Sequence, residues 1–275
     1  MTNNPKISVI TINYNNEKGL QKTIESVVNQ SYTNFEYIII DGGSTNDDVQ
    51  IIKKYENKIN YWVSESDKGV YHAMNKGIKV ATGDYIIFMN SGDVFFDNDV
   101  LQNTVPLFDA NAYFIYGNNF KEKGTSKRLK TYPSELTFSF FYLSSLNHQA
   151  TFIKKSAFDI LFYYDENKKI AADWELFIVG ICKENLPYQY INQTISVYDF
   201  TGVSTNQKFQ SITDQERKAT FEKYFPVFYK DYENLSLLNS KRFQQVLHIQ
   251  KSPITWKFFK MVISLFLIFT PKIKK

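Results

Sequence analysis

Several residue types are scarce in this 275-residue chain, and each scarcity excludes a class of protein. The single cysteine, Cys182, cannot form an internal disulfide or a thiolate zinc cluster, so the sequence favours a reducing compartment and we expect a cytoplasmic protein. Only 11 glycines and 7 prolines exclude collagen-like and low-complexity chains. With 17% aromatic residues the chain has too much apolar surface to stay disordered, and its length allows one large or two small domains.

Acidic residues are absent after Glu233, although eight lysines and arginines follow it. The chain as a whole carries a net charge of +4, so residues 1–233 carry a net charge of −4. An acidic body argues against nucleic acid as a partner, whereas the basic tail indicates contact with an anionic surface.

Long apolar runs are also missing. The apolar stretch 256–269 is interrupted by Lys257 and Lys260. As a helix it would span roughly 21 Å, short of the ~30 Å hydrocarbon core of a membrane. We therefore expect a helix over residues 253–271 that lies at the inner face of the cell membrane. The alternative is a helix docked on protein, either on the body or on a second copy in a homo-oligomer.

Short apolar segments alternate with segments of helical periodicity through the first ninety residues. Strands that are apolar on both sides are typical of a parallel sheet with helices on both faces, and a ligand then binds beyond the carboxyl ends of the strands. We therefore expect an α/β fold with a Rossmann-like, mostly parallel sheet, followed from Thr213 by a helical C-terminal tail. The predicted strands cover residues 6–12, 35–40, 59–63 and 85–89, and the predicted helices cover residues 20–28, 49–55 and 70–80.

A glycine-rich phosphate loop is missing after the first strand, which disfavours dinucleotide binding and P-loop hydrolysis. An anionic ligand would then be neutralised by a divalent cation that a carboxylate holds. Asp93, in the segment Asn90–Asp93 at the carboxyl end of a predicted strand, is the candidate for that carboxylate.

Five motifs in the first 200 residues together carry a resemblance to a known family. They are Ile7–Asn15, Asp41–Thr45, Glu65–Ile78, Gly83–Asp93 and Ala172–Glu175. In this order and spacing the sequence resembles family 2 glycosyltransferases of the GT-A fold, and it is most similar to bacterial enzymes that build surface polysaccharides. The resemblance implies an inverting transferase with a nucleotide-diphosphate sugar as donor, UDP as the expected nucleotide, Mn²⁺ or Mg²⁺ as cofactor, and a glycan or lipid-linked acceptor. It also implies a GT-A catalytic domain over 1–205, with a nucleotide-sugar-binding half (1–95) and an acceptor-binding half (96–205), before a helical region over 206–275.

In the donor half, the resemblance assigns Asp41 to the nucleobase or ribose, since a carboxylate accepts hydrogen bonds from an imide N–H or a hydroxyl. The alternative is a turn-forming aspartate before two glycines. Lys68 would add its charge to the positive end of a helix, while Asp67 has a helix N-cap as its alternative role. The other donor-site candidates are Thr11, Asn13 and Tyr14 for the base pocket, Asp67, Lys68 and Asn75 for the diphosphate and sugar, and Asn90 and Ser91 for the rest of the nucleotide sugar.

The same resemblance makes Asp93 the metal ligand. Relatives commonly have Asp-x-Asp, and the segment Asn90–Asp93 keeps only the final carboxylate. The cation would then depend on diphosphate oxygens and water, as suits Mg²⁺ or Mn²⁺. Asp199 is the candidate for a further protein ligand.

Asp173 is the expected general base, because an inverting transfer needs one carboxylate that takes the proton of the incoming hydroxyl. Trp174 is expected to stack on a sugar ring, Glu175 to bind sugar hydroxyls, and His148 to lie near the acceptor. Each has a structural alternative at this point: a helix cap for Asp173, core packing for Trp174, and a hydrogen-bonded structural histidine for His148.

Two other functions stay open from the sequence alone. A catalytically silent nucleotide-sugar-binding or scaffold protein is favoured by the incomplete metal motif. A sugar nucleotidyltransferase would require a glycine-rich basic loop after the first strand, which Asn13–Asn16 does not provide.

Overall fold

The computed structural model describes residues 4–124, 126–199, 209–238 and 240–270. Within these ranges nine strands form one sheet. The strands are β1 (Ile7–Asn13), β2 (Phe35–Asp41), β3 (Tyr61–Ser64), β4 (Tyr85–Phe88), β5 (Val94–Phe95), β6 (Phe114–Lys123), β7 (Ser126–Lys130), β8 (Thr151–Lys154) and β9 (Tyr188–Asp199). Their order is β3-β2-β1-β4-β8-β6-β9-β5, and β7 pairs with β6.

The helices belong to two compact units, Met1–Tyr224 and Phe225–Lys275. The first unit holds α1 (Glu17–Val28), α2 (Asp48–Lys54), α3 (Val70–Val80), α4 (Val100–Thr104), α5 (Phe138–Leu143), α6 (Ser156–Ile160), α7 (Ala172–Ile178) and α8 (Gln210–Tyr224). The second holds α9 (Pro226–Leu238), α10 (Lys241–Gln250) and α11 (Pro253–Leu267).

The first four strands are parallel and are covered on both faces, which confirms the predicted fold class. β1 pairs in parallel with β2 and β4, and β2 pairs in parallel with β3. On one face Val9 packs in a core with Leu20 and Ile24 of α1. On the other face Ile10 contacts α3 at Gly77, where a Cβ atom would come within 2.6 Å of the isoleucine Cγ2. Consecutive strand residues point to opposite faces of the sheet. Because helices cover both faces, the residues on each face have to be apolar.

The later strands add a mixed extension to this parallel sheet. β8 runs antiparallel to β4, with Tyr85 opposite Lys154, and β9 runs parallel to β6. The start of β8 therefore lies beside the carboxyl end of β4. Because β8 runs antiparallel to β4, the short 3₁₀ turn His148–Ala150 that leads into β8 lies at the carboxyl ends of the parallel strands.

Helix α8 belongs to the first unit because it holds the start of α7. The Glu216 carboxylate accepts hydrogen bonds from three backbone N–H groups in the segment before α7, those of Lys169, Ile170 and Ala171, at 2.7–3.1 Å. The first unit thus extends to Tyr224, past the boundary expected after residue 205, which itself lies outside the described residues.

The second unit consists of three helices in its described part. The expected interfacial helix 253–271 corresponds to α11, which ends at Leu267; residue 271 lies outside the described residues. Nowhere in the described ranges is a helix both long and apolar enough to cross a membrane.

Candidate active site

The polar ends of β1, β2 and β4 lie together at one edge of the sheet. Asn13 and Asp41 are paired as the last residues of β1 and β2. The turn Asn90–Asp93 follows β4, and the backbone N–H of Ser91 donates to the Ile12 carbonyl at 3.1 Å. The edge predicted from the alternating pattern is therefore where the candidate residues gather.

Asp41 is fully buried and organises the loop that follows β2. Its two oxygens accept from Asn13 Nδ2 (2.7 Å), the Ser64 hydroxyl (2.6 Å), and both the hydroxyl (2.6 Å) and the backbone N–H (2.9 Å) of Ser44. Burial raises the pKa of Asp41, but these hydrogen bonds outweigh it and hold the pKa below its ordinary value. With four donors on two oxygens, a nucleotide contact with Asp41 would require the exchange of a protein donor.

Asn13 joins Asp41 to a second buried carboxylate, Asp48, that sequence reasoning missed. Asn13 Nδ2 donates to Asp48 Oδ2 at 2.8 Å, and this Asp48 oxygen also accepts from the backbone N–H of Asn16 at 2.9 Å. Asn13 Oδ1 and Asp48 Oδ1 are both buried without a hydrogen-bond partner among the described residues. A buried acceptor without a donor costs about 1–3 kcal/mol, so a ligand N–H or O–H reaching these oxygens would be favoured.

Tyr14 and Thr11, both expected in the base pocket, have different environments. Tyr14 is 64% exposed, and its ring lies against Gly42, where a Cβ atom would be 3.4 Å from the ring and 2.5 Å from Asp67 Oδ2. Thr11 is fully buried, and its hydroxyl donates to the Met89 carbonyl at 2.8 Å. The Tyr14 ring is therefore open to a ligand, whereas Thr11 lies in the core, and the expected contacts of both residues with the base stay predictions.

Asp67 and Lys68 precede α3, whereas Asn75 lies inside it. Asp67 Oδ1 accepts from the backbone N–H of Gly69 at 2.8 Å, and Lys68 is exposed. Asn75 is 3% exposed, and both ends of its amide bind the backbone of Tyr164, at 2.8 and 3.0 Å. Asn75 therefore joins the segment at Tyr164 to α3, and its expected contact with the donor sugar stays a prediction.

The turn after β4 carries the candidate metal ligand. Gly92 has φ = 108°, a left-handed conformation that favours glycine, and it turns the chain so that Asp93 is 5% exposed. Asp93 Oδ2 accepts from Gln149 Nε2 at 3.3 Å, and Asn90 Oδ1 is buried with no partner in the described part of the chain. The backbone carbonyl oxygen of Ser91 accepts a hydrogen bond from Asn16 Nδ2 at 3.1 Å.

The described residues contain no group of three or more histidine, cysteine or acidic side chains that could hold a metal ion. Asp199 ends β9, and the pairing of β5 with β9 places that strand end beside the turn of Asp93. The side chain of Asp199 lies outside the described part of the structure. A divalent cation at this turn would therefore take Asp93, with the Asn90 amide oxygen, from the described chain, and further ligands from a diphosphate and water, a donor set that Mg²⁺ and Mn²⁺ accept.

Asp173 and His148 form a hydrogen-bonded pair at this edge. His148 Nδ1 lies 2.8 Å from Asp173 Oδ2, and His148 Nε2 lies 3.0 Å from Asn90 Nδ2. Asp173 Oδ1 accepts from the backbone N–H of Trp174 (2.8 Å) and from the Tyr71 hydroxyl (3.1 Å). Burial raises the pKa of Asp173, but these hydrogen bonds, with that of His148 foremost, lower it below its ordinary value. The carboxyl therefore stays ionised at neutral pH, while 16% of its side chain remains exposed.

Three consecutive residues join this pair to the rest of the site. Asn147 accepts from Lys130 Nζ at 2.9 Å, His148 contacts Asp173, and Gln149 contacts Asp93. Sequence reasoning missed Lys130 and also Tyr71. Tyr71 lies within the motif Glu65–Ile78, but the partners of both residues are distant in the chain, so the local sequence does not indicate these contacts.

Trp174 and Glu175 have structural partners rather than free surfaces. Trp174 is 1% exposed, and its indole N–H donates to the Phe141 carbonyl at 2.9 Å. Glu175 is 5% exposed and forms an ion pair with Lys168 at 2.8 Å. Both side chains therefore have protein partners in this structure, and their expected contacts with a sugar stay predictions.

Comparisons with known proteins identify the family of the chain. Residues 8–165 match the model of Glycosyl transferase family 2. Over 231 residues the chain is 33% identical to an uncharacterized glycosyltransferase of Mycobacterium tuberculosis strain H37Rv, which covers 82% of this chain and 87% of the relative. It is 22% identical to the PGL/p-HBAD biosynthesis glycosyltransferase of Mycobacterium bovis strain BCG, over 92% of this chain and 98% of that protein. The chain belongs to glycosyl transferase family 2.

Solved structures of glycosyltransferases share the fold. Staphylococcus aureus TarS superposes on this chain with a TM-score of 0.59 at 21% identity. The superposition covers 70% of this chain and 36% of the TarS chain. TarS residues 1–349 in complex with UDP-GlcNAc give a TM-score of 0.58 at 20% identity, covering 70% of this chain and 58% of that one. The mannosyltransferase PcManGT of Pyrobaculum calidifontis, in complex with GDP-Man and Mn²⁺, gives 0.55 at 13% identity over 88% of this chain and 82% of its own. These likenesses identify the fold as GT-A.

Proposed function

We propose that this glycosyltransferase is an inverting enzyme that moves a sugar from a UDP-sugar to a hydroxyl of a glycan or lipid-linked acceptor in surface-polysaccharide synthesis. The observation that carries the proposal is the ionised carboxylate of Asp173, which His148 holds beside the turn of Asp93. The similarity to the PGL/p-HBAD biosynthesis glycosyltransferase and the UDP-GlcNAc complex of TarS support the choice of acceptor and donor classes.

Asp173 acts as the general base. Among the described residues only His148 donates to Asp173 Oδ2, so this oxygen can accept a further hydrogen bond from the acceptor hydroxyl. As the acceptor oxygen bonds to the anomeric carbon, the bond from that carbon to the diphosphate breaks on the opposite face. The bonding electrons leave with UDP, and the hydroxyl proton passes to Asp173. No enzyme nucleophile takes part, in contrast to double displacement.

The donor lies at the carboxyl edge of the parallel strands. The exposed ring of Tyr14 stacks on the base, and the unpaired oxygens of Asn13 and Asp48 accept hydrogen bonds from the nucleoside. Asp41 orders the loop around them. Lys68 and the N-terminus of α3 supply positive charge for the diphosphate.

Mn²⁺ or Mg²⁺ is the proposed cofactor. Asp93 and the Asn90 amide oxygen would hold the cation. When bound, the cation supplies positive charge that stabilises the diphosphate leaving group. Asp93 itself is kept in place by Gln149, so its orientation does not depend on the ion alone.

Helix α11 is the proposed contact with an anionic membrane surface. Exposed apolar residues recur along it at helical spacing, at Ile254, Phe258, Met261 and Leu265, with Lys257 and Lys260 between them. Apolar burial combined with lysine attraction to anionic lipids is how interfacial helices bind. This contact would bring the enzyme to a lipid-linked acceptor.

The replacement Asp173→Asn tests the assigned chemistry. Since the amide cannot accept the proton, we expect transfer to fall by about 10²–10⁴-fold while UDP binding persists. Transfer is measured as Mn²⁺-dependent UDP release from UDP-sugars, and binding by calorimetry. Undiminished transfer in the variant contradicts the role of Asp173. UDP binding without any transfer in the native chain would instead favour a silent nucleotide-sugar-binding protein, the alternative that Asn90 keeps open.

A further inference from the structure

Cations gather on one face of the hairpin formed by β6 and β7. The strand register places the side chains of Lys121, Arg128 and Lys130 on the same face. Glu122, the only acidic residue of the two strands and their connection, is paired with Lys127 on the opposite face, at 3.0 Å. Lys121 and Arg128 are directly opposite each other in the register, and like charges in this position repel each other.

Lys130 is the most enclosed cation of this face. Its Nζ donates to the Ser145 carbonyl and to Asn147 Oδ1, both at 2.9 Å, and both partners are neutral. Burial, with repulsion from Lys121 and Arg217, lowers the pKa of Lys130 to about 7. A buried ammonium without a carboxylate costs free energy, and a bound anion would offset this cost.

Arg217 of α8 is a second cation near the proposed general base, close enough for its charge to interact with Asp173 and with Lys130. Its guanidinium lies over the ring of Trp174, 4.7 Å from the centroid, and its Nε is buried without a hydrogen-bond partner in the described part of the chain. Trp174 follows Asp173 in the chain, and the amide that binds Lys130 precedes His148. Lys130 is therefore joined to the Asp173–His148 pair through Asn147, and Arg217, which Asp173 and Asp214 attract, is joined to it through Trp174.

We propose that this basic face binds an anionic oxygen group of the acceptor, a phosphodiester or a carboxylate, and so brings the acceptor hydroxyl to Asp173. This inference rests on the proposed function and names the acceptor class. Lys130 and Arg217 contribute charge-assisted hydrogen bonds to the anion, and Arg128 adds to the attraction from the rim. In the proposed function the donor diphosphate lies at Lys68, at α3 and at the cation that Asp93 would hold, so the test loads the chain with UDP and Mg²⁺ before the second anion is added.

The test measures binding of small anions to the full chain loaded with UDP and Mg²⁺. The probes are glycerophosphoglycerol, glucuronate and, as the neutral control, glycerol, each followed by ligand-observed NMR titration. We expect one of the anions to bind and glycerol not to bind. Binding of glycerophosphoglycerol identifies a phosphodiester acceptor, and binding of glucuronate a uronic-acid acceptor. Failure of UDP to bind would count against the proposed function, whereas failure of both anions to bind the UDP-loaded chain overturns this inference alone.

Lys130→Met removes the charge and keeps the apolar stem of the side chain. We expect it to weaken binding of the anion by about tenfold or more and to leave UDP affinity unchanged. Lys127→Met, on the opposite face of the same strand, is the matched control and should change anion affinity less than twofold. Arg128→Gln is an exposed second variant that covers the case of a misfolded Lys130 variant, and it should weaken binding and reduce its salt dependence. Unchanged anion affinity in the same-face variants, or loss of UDP binding in a folded Lys130 variant, refutes the inference.

Discussion

At the scale of single residues, His148 controls the proton affinity of Asp173. Its Nδ1 donates to the carboxylate, and this is the foremost of the hydrogen bonds that lower the pKa of Asp173. In His148→Ala that bond is lost, so the pKa of Asp173 rises. Because the base has to be ionised, the acidic limb of the profile of kcat/KM against pH is expected to move to higher pH. His148→Gln keeps an amide donor and should shift it less; identical profiles in all three proteins would contradict the coupling.

Asp93 provides the second prediction at this scale. Removal of divalent cations with EDTA should abolish transfer, and Mn²⁺ or Mg²⁺ should restore it. Asp93→Asn should weaken Mn²⁺ binding in the presence of UDP, because the variant loses the carboxylate that the cation would use. Electron paramagnetic resonance measures bound Mn²⁺ without any need for turnover. Full activity in EDTA, or native Mn²⁺ affinity in the variant, would show that the cofactor assignment is wrong.

At the scale of elements, α8 positions the start of α7. Glu216→Ala leaves three backbone N–H groups without their acceptor, so we expect a loss of about 1–3 kcal/mol in the free energy of unfolding. Transfer should fall as well, because these groups lie just before Asp173. Glu222→Ala on the same helix is the control, because the Glu222 side chain is 58% exposed. The free energy of unfolding of this variant should stay within about 0.5 kcal/mol of that of the native chain. Denaturant unfolding compares the two, and equal effects would exclude a special role for Glu216.

At the scale of the whole molecule, the charge division between body and tail predicts where the protein binds. The chain should cosediment with vesicles that contain anionic lipid, and not with neutral vesicles. Lys257→Glu with Lys260→Glu should reduce this binding, since each lysine near an anionic surface contributes about 1 kcal/mol. Detergent-free cell fractionation with and without residues 252–275 provides the same comparison in cells. A full chain that stays unbound in both experiments would contradict the membrane proposal.

The sequence predicted the elements of the first ninety residues closely, but it predicted the roles of side chains less well. The predicted strand 35–40 and helix 70–80 correspond to β2 and α3. By contrast, Asn75 and Thr11 were expected at the donor, and both are buried with protein partners. A threonine near a strand end, or an asparagine inside a helix, has the same local pattern whether it faces a ligand or the core, so periodicity cannot separate the two cases.

The sequence alone determined the two-sided apolar strands, the polar loops at their carboxyl ends and the acidic body with its basic tail. These properties follow from residue spacing and from summed charge, which need no knowledge of long-range neighbours. Only the tertiary structure decided that His148 holds Asp173, that Asp48 shares Asn13 with Asp41, and that Lys130 donates to Asn147, the residue before His148. Such contacts depend on how the reversed strand β8 returns to the edge of the parallel sheet, and hydrogen-bond partners 25 or more residues apart are set by that packing.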